Sequence, residues 1–228
     1  MNKKFKTGFL IKKSVLKKDS INSFFRTFLE VCKFYEPYFF EEKKIFKNWD
    51  DIELSKILIK LRAEKPKVFS KIYDVVQKTP NIFNIANENY FDLLASEFLE
   101  VSRDNLYVIS SFLRMDPPND KKNSLGWHQD DHLNKNKNND ACTIWCPLIN
   151  VHESNGALKV LTGSHINNFP LKLEFAPEII KSYKAESLIM KAGDVMLMNN
   201  LLIHKSGDNV TDNIRFTLVY TYNTLPVL

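Results

Sequence analysis

Apolar residues first fall into step at Ile21, Phe24, Phe25, Phe28, Leu29 and Cys32. Intervals of three and four place them along one stripe of an α-helix. Asp19-Ser20 supply an N-cap for that helix, and Pro37 ends or bends it, because proline has no N–H for the preceding turn. The same spacing returns at Ile52, Leu54, Ile57, Leu58 and Leu61, at Val68, Phe69, Ile72, Val75 and Val76, and at Phe91, Leu93, Leu94, Phe98 and Leu99. Asp50-Asp51 suits a helix start, Pro66 fits the first turn of the next helix, and Pro80 lies beyond that helix's end. Residues 19 to about 100 therefore read as a helical layer with aromatic-rich inner faces.

From Leu106 the pattern changes to short β-branched or aromatic runs: Leu106 to Leu113, Ala141 to Asn150, Ala157 to Leu161, Ser187 to Met190, Val195 to Asn199, Ile203 to Lys205 and Ile214 to Tyr222. Turn formers separate them, among them Asp116-Pro117-Pro118-Asn119-Asp120, Asn155-Gly156, Thr162-Gly163-Ser164 and Gly193-Asp194. Many short strands with regular turns imply a sandwich or barrel. No Pro/Gly/Ser linker divides the two halves. The expectation is one domain over residues 1–228, mainly β, with a mostly helical layer (1–105) packed on a strand-rich core (106–222). In the last strand, Arg215, Thr217, Val219 and Thr221 share one face, and Phe216, Leu218 and Tyr220 point the other way, as a face covered by helices requires.

Charge and composition narrow the function classes. The net charge of +5 comes from the first 18 residues, which hold seven lysines and no acid, leaving −2 for residues 19–228. A solvated Lys-rich N-terminus is the expected reading, and a phosphate-tracking surface is not. No nucleic-acid partner is expected. Apolar runs such as Val195 to Met198 fall far short of the roughly 20 residues a membrane span needs, and Phe9-Leu10-Ile11 is too short for a signal-peptide core. The expected location is cytoplasmic. Cys32, Cys142 and Cys146 make no disulfide framework and are expected to be small buried hydrophobes, although Cys142 and Cys146 share the strand parity of half a zinc site. The K-N-K-N-N stretch at 135–139 reads as an exposed loop, and nothing in the pattern indicates an oligomeric state.

The candidate chemistry lies in L-G-W-H-Q-D-D-H at 125–132. His128 and Asp130 are two apart, so in an extended strand an imidazole and a carboxylate reach one metal ion from the same side. Alone, His-x-Asp is common by chance. Its context is His204, directly after an apolar strand, with Ser206 on the same face, and Arg215 on the inward face of the last strand. A buried arginine is costly unless an anion meets it, and a dicarboxylate supplies one through a bidentate, charge-assisted pair. Two histidines and one carboxylate on one face of a metal leave positions open, the arrangement of non-haem Fe(II) oxygenases. Taken singly, His204 also fits a satisfied core histidine, Trp145 an ordinary sheet aromatic and Ser206 a turn former.

With G-W-H-Q-D (126–130), T-I-W-C-P-L (143–148), H-E-S-N-G-A-L (152–158), G-S-H (163–165), A-G-D-V (192–195), H-K-S-G (204–207) and R-F-T (215–217) in order, the chain resembles the phytanoyl-CoA dioxygenase family of iron and 2-oxoglutarate dependent oxygenases. The resemblance covers roughly residues 106–222. It implies a double-stranded β-helix core, a jelly-roll of the cupin-like kind, flanked by α-helices. It assigns His128, Asp130 and His204 to Fe(II) and Arg215 to the distal carboxylate of 2-oxoglutarate, with Ser206 supporting that carboxylate, Trp145 flanking the cosubstrate and Thr217 in the same pocket. Further cosubstrate contacts would fall within Ile109 to Met115.

The reaction implied is hydroxylation of an unactivated C–H bond of a small molecule, with O₂ consumed and succinate and CO₂ released. Related halogenases lack the carboxylate that Asp130 supplies, so hydroxylation is expected over halogenation; desaturation and cyclisation would use the same triad. A non-catalytic β-helix binding module and a nucleic-acid demethylase of similar core are the alternatives. His152 and His165 belong to loop motifs. Substrate contacts are expected from the N-terminal helices, the 116–124 and 132–140 loops, and Gln129, Asp131 and His132.

Overall fold

The computed structural model describes residues 6–40, 45–120, 125–130, 141–167, 169 and 175–225. Five helices form the N-terminal layer: Lys18–Tyr35 (α1), Ile52–Glu64 (α2), Pro66–Val76 (α3), Pro80–Glu88 (α4) and Phe91–Leu99 (α5). The α1 stripe is buried at Phe24, Phe25, Phe28 and Cys32, as its spacing predicts. Its N-terminus differs from expectation. Lys17 is the cap residue and offers no side-chain bond, Asp19 lies in the first turn, and Ser20 donates to Glu88. A carboxylate one turn into the helix meets the same exposed N–H groups and dipole that a capping oxygen would. Asp51 does cap α2, accepting from the amides of Glu53 and Leu54. Helix α4 is absent from the sequence reading, because Pro80, taken there only as lying past a helix, is the opening residue of the next one.

Among the described residues, eight strands follow the order Phe9–Lys12 (β1), Leu106–Asp116 (β2), Ala141–Pro147 (β3), Lys159–Leu161 (β4), Ala185–Ser187 (β5), Val195–Asn199 (β6), His204–Lys205 (β7) and Arg215–Thr224 (β8), with a short helix Pro177–Lys181 (α6) before β5. They build two antiparallel sheets, β1-β6-β3-β8-β2 and β5-β4-β7, the jelly-roll core expected of a double-stranded β-helix. The run from Ser187 to Met190 is shifted: β5 ends at Ser187, and Met190 instead exchanges backbone bonds with Val151 in an isolated bridge.

Strand β8 has neighbours on both edges, β3 and β2, and is buried along almost its whole length. Its two faces divide as the alternation requires. Phe216 packs 5.0 Å from the Trp49 ring and 6.0 Å from Phe28. Tyr220 lies 5.1 Å from Phe91 and donates its hydroxyl to the Ile82 carbonyl. Helices therefore cover this face of the sheet and leave the Arg215 face for the interior of the roll.

The Lys-rich N-terminus is not simply a solvated arm. Phe9–Lys12 forms the edge strand β1 against β6, Lys12 pairs with Glu97, and Lys13 reaches the buried Asp194. Lysines on an edge strand suit this position, since they discourage pairing with a further strand. The three cysteines are buried free thiols, and burial pushes those of Cys32 and Cys146 up, away from the thiolate that a metal would need. Among the described residues no helix is long and apolar enough to cross a membrane. The 135–139 stretch lies outside the described residues.

Trp49 is 1% exposed and stacks against Phe24, Phe25, Phe28 and Phe216, so it joins the helical layer to the sheet. Trp49→Ala is expected to destabilise the fold by about 3–5 kcal/mol, as removal of a large core aromatic does. Urea unfolding checks this; an unchanged midpoint would show the two layers to be held otherwise.

Candidate active site

The segment carrying His128 and Asp130 is not the regular strand expected. One antiparallel bridge holds it, with His128 N donating to His204 O and His204 N to His128 O, both at 2.9 Å. The next anchor is Asp130 N, which donates to Asn200 O at 3.0 Å. This suffices to bring three side chains together. Ligand atoms of His128, Asp130 and His204 all lie within 4.8 Å of one another, and the cluster is the one group among the described residues with that metal-holding geometry. Asp130 Oδ1 is 3.7 Å from His128 Nε2 and 3.6 Å from His204 Nε2.

Each member is oriented by a second bond. His128 Nδ1 lies 2.7 Å from the Gly126 carbonyl and His204 Nδ1 2.9 Å from the Leu202 carbonyl. A carbonyl only accepts, so each Nδ1 carries the proton and each Nε2 presents its lone pair to the cluster. Thr143 donates to Asp130 Oδ2 at 2.7 Å, which holds one carboxylate oxygen and leaves the other facing the imidazoles. Such outer bonds set ring tautomer and ligand direction in metal sites.

Arg215 is 1% exposed on the inward face of β8. The sequence alone offered a bound dicarboxylate as its anion, but the protein supplies one itself. Arg215 Nη2 donates to Asp116 Oδ2 at 2.7 Å, and Asp116 also accepts from Arg114 Nη2 (2.9 Å) and Nε (3.3 Å). Burial pushes the Asp116 carboxyl up, but the Arg215 and Arg114 guanidiniums outweigh it and hold the group below the usual carboxylate range. Asp116 thus ends β2 directly opposite Arg215 rather than serving only as the turn residue it resembles in the sequence.

Around Arg215 stand the other expected residues. Trp145 presents its ring 6.0 Å from the guanidinium carbon, and Ser206 lines a cavity of about 290 Å³ together with Arg215 and Asp116. Thr217 is fully buried on the same face of β8 as Arg215. Arg215 Nε and Nη1 and Thr217 Oγ1 are buried with no hydrogen-bond partner among the described residues. Gly156, at φ +90°, allows the approach, because a Cβ there would lie 2.5 Å from Arg215 Nη1.

Gln129 does not face a substrate cavity. It is 1% exposed and donates to the Leu201 carbonyl at 2.6 Å, fastening the loop that leads into His204. His152 bonds Ser154 within its turn, and His165 lies in a short 3₁₀ turn against Gly8. Asp131 and His132 lie outside the described residues. Sequence reasoning missed Asp116 and Thr143. Strand parity carries both signals: Asp116 is two residues after Arg114, and Thr143 two before Trp145.

Two outcomes follow from these contacts. Thr143→Val is expected to weaken Fe(II) binding by about 10–100-fold while leaving unfolding unchanged, the usual effect of losing an outer-shell bond; titration with Fe(II) under argon measures it. Asp116→Asn is expected to cost about 3 kcal/mol at pH 7 by leaving buried guanidiniums unmatched. A carboxyl with a lowered folded pKa stabilises above its unfolded value near pH 4 and ceases to do so as pH falls through the folded value. The gap between wild type and variant in urea unfolding should therefore shrink towards pH 3; a gap independent of pH would rule out the ion pair as its source.

Comparison with known proteins agrees with this architecture. The family model described as phytanoyl-CoA dioxygenase (PhyH) matches residues 6–217. Peroxisomal phytanoyl-CoA dioxygenase of Rattus norvegicus is 27% identical over 240 residues, covering 95% of this chain and 65% of that protein. The chain thus spans slightly under two thirds of that relative's length. Among solved structures, the non-haem alpha ketoglutarate dependent carbocyclase SnoK of nogalamycin biosynthesis superposes with a TM-score of 0.66 at 15% identity, over 97% of this chain and 81% of that one. EvdO2 from Micromonospora carbonacea var. aurantiaca, complexed with 2-oxoglutarate, gives 0.62 at 15% identity, over 99% and 89%. These likenesses establish a shared fold, and the family match, extending over nearly the whole chain, establishes descent: the chain belongs to the phytanoyl-CoA dioxygenase family.

Proposed function

We propose that the protein is an Fe(II)- and 2-oxoglutarate-dependent oxygenase that hydroxylates an unactivated C–H bond of a small molecule, releasing succinate and CO₂. The observation that carries this reading is the His128, Asp130, His204 cluster, with each histidine's Nδ1 tied to a carbonyl and each Nε2 turned inward. That donor set, two neutral imidazoles and one carboxylate, fits Fe(II) and leaves the opposite side open. Bound iron would supply the activation of O₂ that no side chain can perform.

The unpartnered Nε and Nη1 of Arg215 and the hydroxyl of Thr217 are the donors a cosubstrate carboxylate needs in a buried site. Ser206 adds a hydroxyl at the same cavity, and Trp145 walls it. Thr143 keeps the Asp130 carboxylate from rotating. The low exposure of His128, His204, Arg215 and Thr217 excludes water from the reacting centre. The retained carboxylate of Asp130 supports hydroxylation over halogenation.

Succinate release from 2-oxoglutarate by the Fe(II)-loaded protein, followed under air, tests the assignment. Asp130→Ala is expected to abolish it. Arg215→Met is expected to raise the KM for 2-oxoglutarate by at least about 100-fold through loss of a charge-assisted pair worth about 3 kcal/mol. A folded, iron-loaded protein that forms no succinate with any substrate would return the chain to the class of non-catalytic binding modules.

A further inference from the structure

A second cavity, of about 530 Å³, lies between α2, α3 and β2. Phe69 and Tyr73 of α3 and Phe112 of β2 form its apolar wall, and Arg62 and Arg114 bring positive charge to it. It reaches Asp116 and Leu125, the residue leading into the His128 segment. Leu125 stands three residues before His128, which brings the cavity to the segment that carries two of the cluster's side chains.

Two arginines at a cavity wall suggest an anionic ligand, but here both are already matched. Arg62 Nη1 donates to Asp120 Oδ2 at 2.6 Å, and Arg114 holds Asp116 through two nitrogens. Asp116 is committed further to Arg215, and Asp74 adds an exposed carboxylate at the rim. A carboxylate or phosphate entering this space must share a guanidinium that an aspartate already holds, against the repulsion of that aspartate. Among the described residues, an ammonium gains the exposed Asp74 alone. Three aromatic rings, by contrast, reward a flat or ring-shaped apolar body, and the volume suits a ligand of two or three rings.

Resting on the oxygenase reading above, we propose that this cavity is the substrate pocket and that its substrate is an uncharged, ring-bearing small molecule. Its arginines are already paired with aspartates, so they orient the wall of the pocket and do not recruit anions. Phosphate-bearing thioesters and free acids are therefore poor ligands.

Isothermal titration of the metal-free, full-length chain with 2-naphthylmethanol, 2-naphthoate and 2-naphthylmethylammonium tests this, since the three probes share one body and differ in charge. The alcohol is expected to bind at least about tenfold more tightly than either ion, the order of preference that one unmatched charge imposes. Ser70→Trp, at an exposed residue lining the cavity, and Phe69→Ala should each weaken the alcohol. Asp120→Asn, which releases Arg62, should strengthen naphthoate. Equal or tighter binding of either ion, alcohol binding indifferent to both cavity variants, or no binding of the alcohol would overturn the proposal. Succinate formation by the Fe(II)-loaded protein, measured in parallel with each probe, separates the two readings: if it occurs while naphthoate binds best, only the substrate class falls, and if no compound elicits it, the oxygenase assignment falls whatever binds.

Discussion

A guanidinium buried at the centre of the roll must be matched by charge, and the pairing of Arg215 with Asp116 meets that demand. The match fixes more than two side chains. Asp116 and Arg215 stand opposite each other at the end of the β2–β8 ladder, so the pair secures the register of β8 against the edge strand β2. Arg114 is drawn in as the second cation, and Asp116 then borders both the cavity of Ser206 and the cavity of Phe69 and Tyr73. One carboxylate at a strand end thus lines two cavities. Its position depends on charge balance rather than on apolar packing.

The metal corner follows a different economy. Its ligands come from a segment with a single sheet bridge and from a two-residue strand, which alone would leave them loosely held. Precision comes instead from the side-chain fastenings: carbonyls behind both imidazoles, Thr143 behind Asp130, and Gln129 across to Leu201. Such a site is preorganised by hydrogen bonds, local behind the two imidazoles and long-range at Asp130 and Gln129.

How much of this the sequence discloses depends on whether the cause is local. Helical stripes such as Phe24, Phe25, Phe28 and Cys32 are local, and so is the alternation of Phe216, Leu218 and Tyr220, so the layers and the buried faces are legible. Helix α4 is not, because proline both follows helices and opens them, and Pro80 does the second. Nor is the entry into α5, where Tyr90 adopts φ 57° without a glycine to announce it. Strand β1 is obscured by its lysines, since an edge strand and a solvated arm have similar composition. At the site, the spacing of His128, Asp130 and His204 is visible, whereas Asp116 is hidden by Pro117-Pro118, whose turn chemistry masks the strand residue before them. Pairing across 99 positions of sequence, as between Asp116 and Arg215, leaves no local trace.

Strand β1 has a consequence for synthesis of the chain. Its partner β6 begins at Val195, so β1 is synthesised long before the strand that satisfies its backbone groups. Until then Phe9, Leu10 and Ile11 are an unpaired apolar segment, and the β6 edge on which they dock is bare as soon as the rest of the sheet assembles. The roll is therefore closed late, by a contact between segments far apart in the sequence. Lysines beside those apolar residues keep the waiting segment from self-association during that interval.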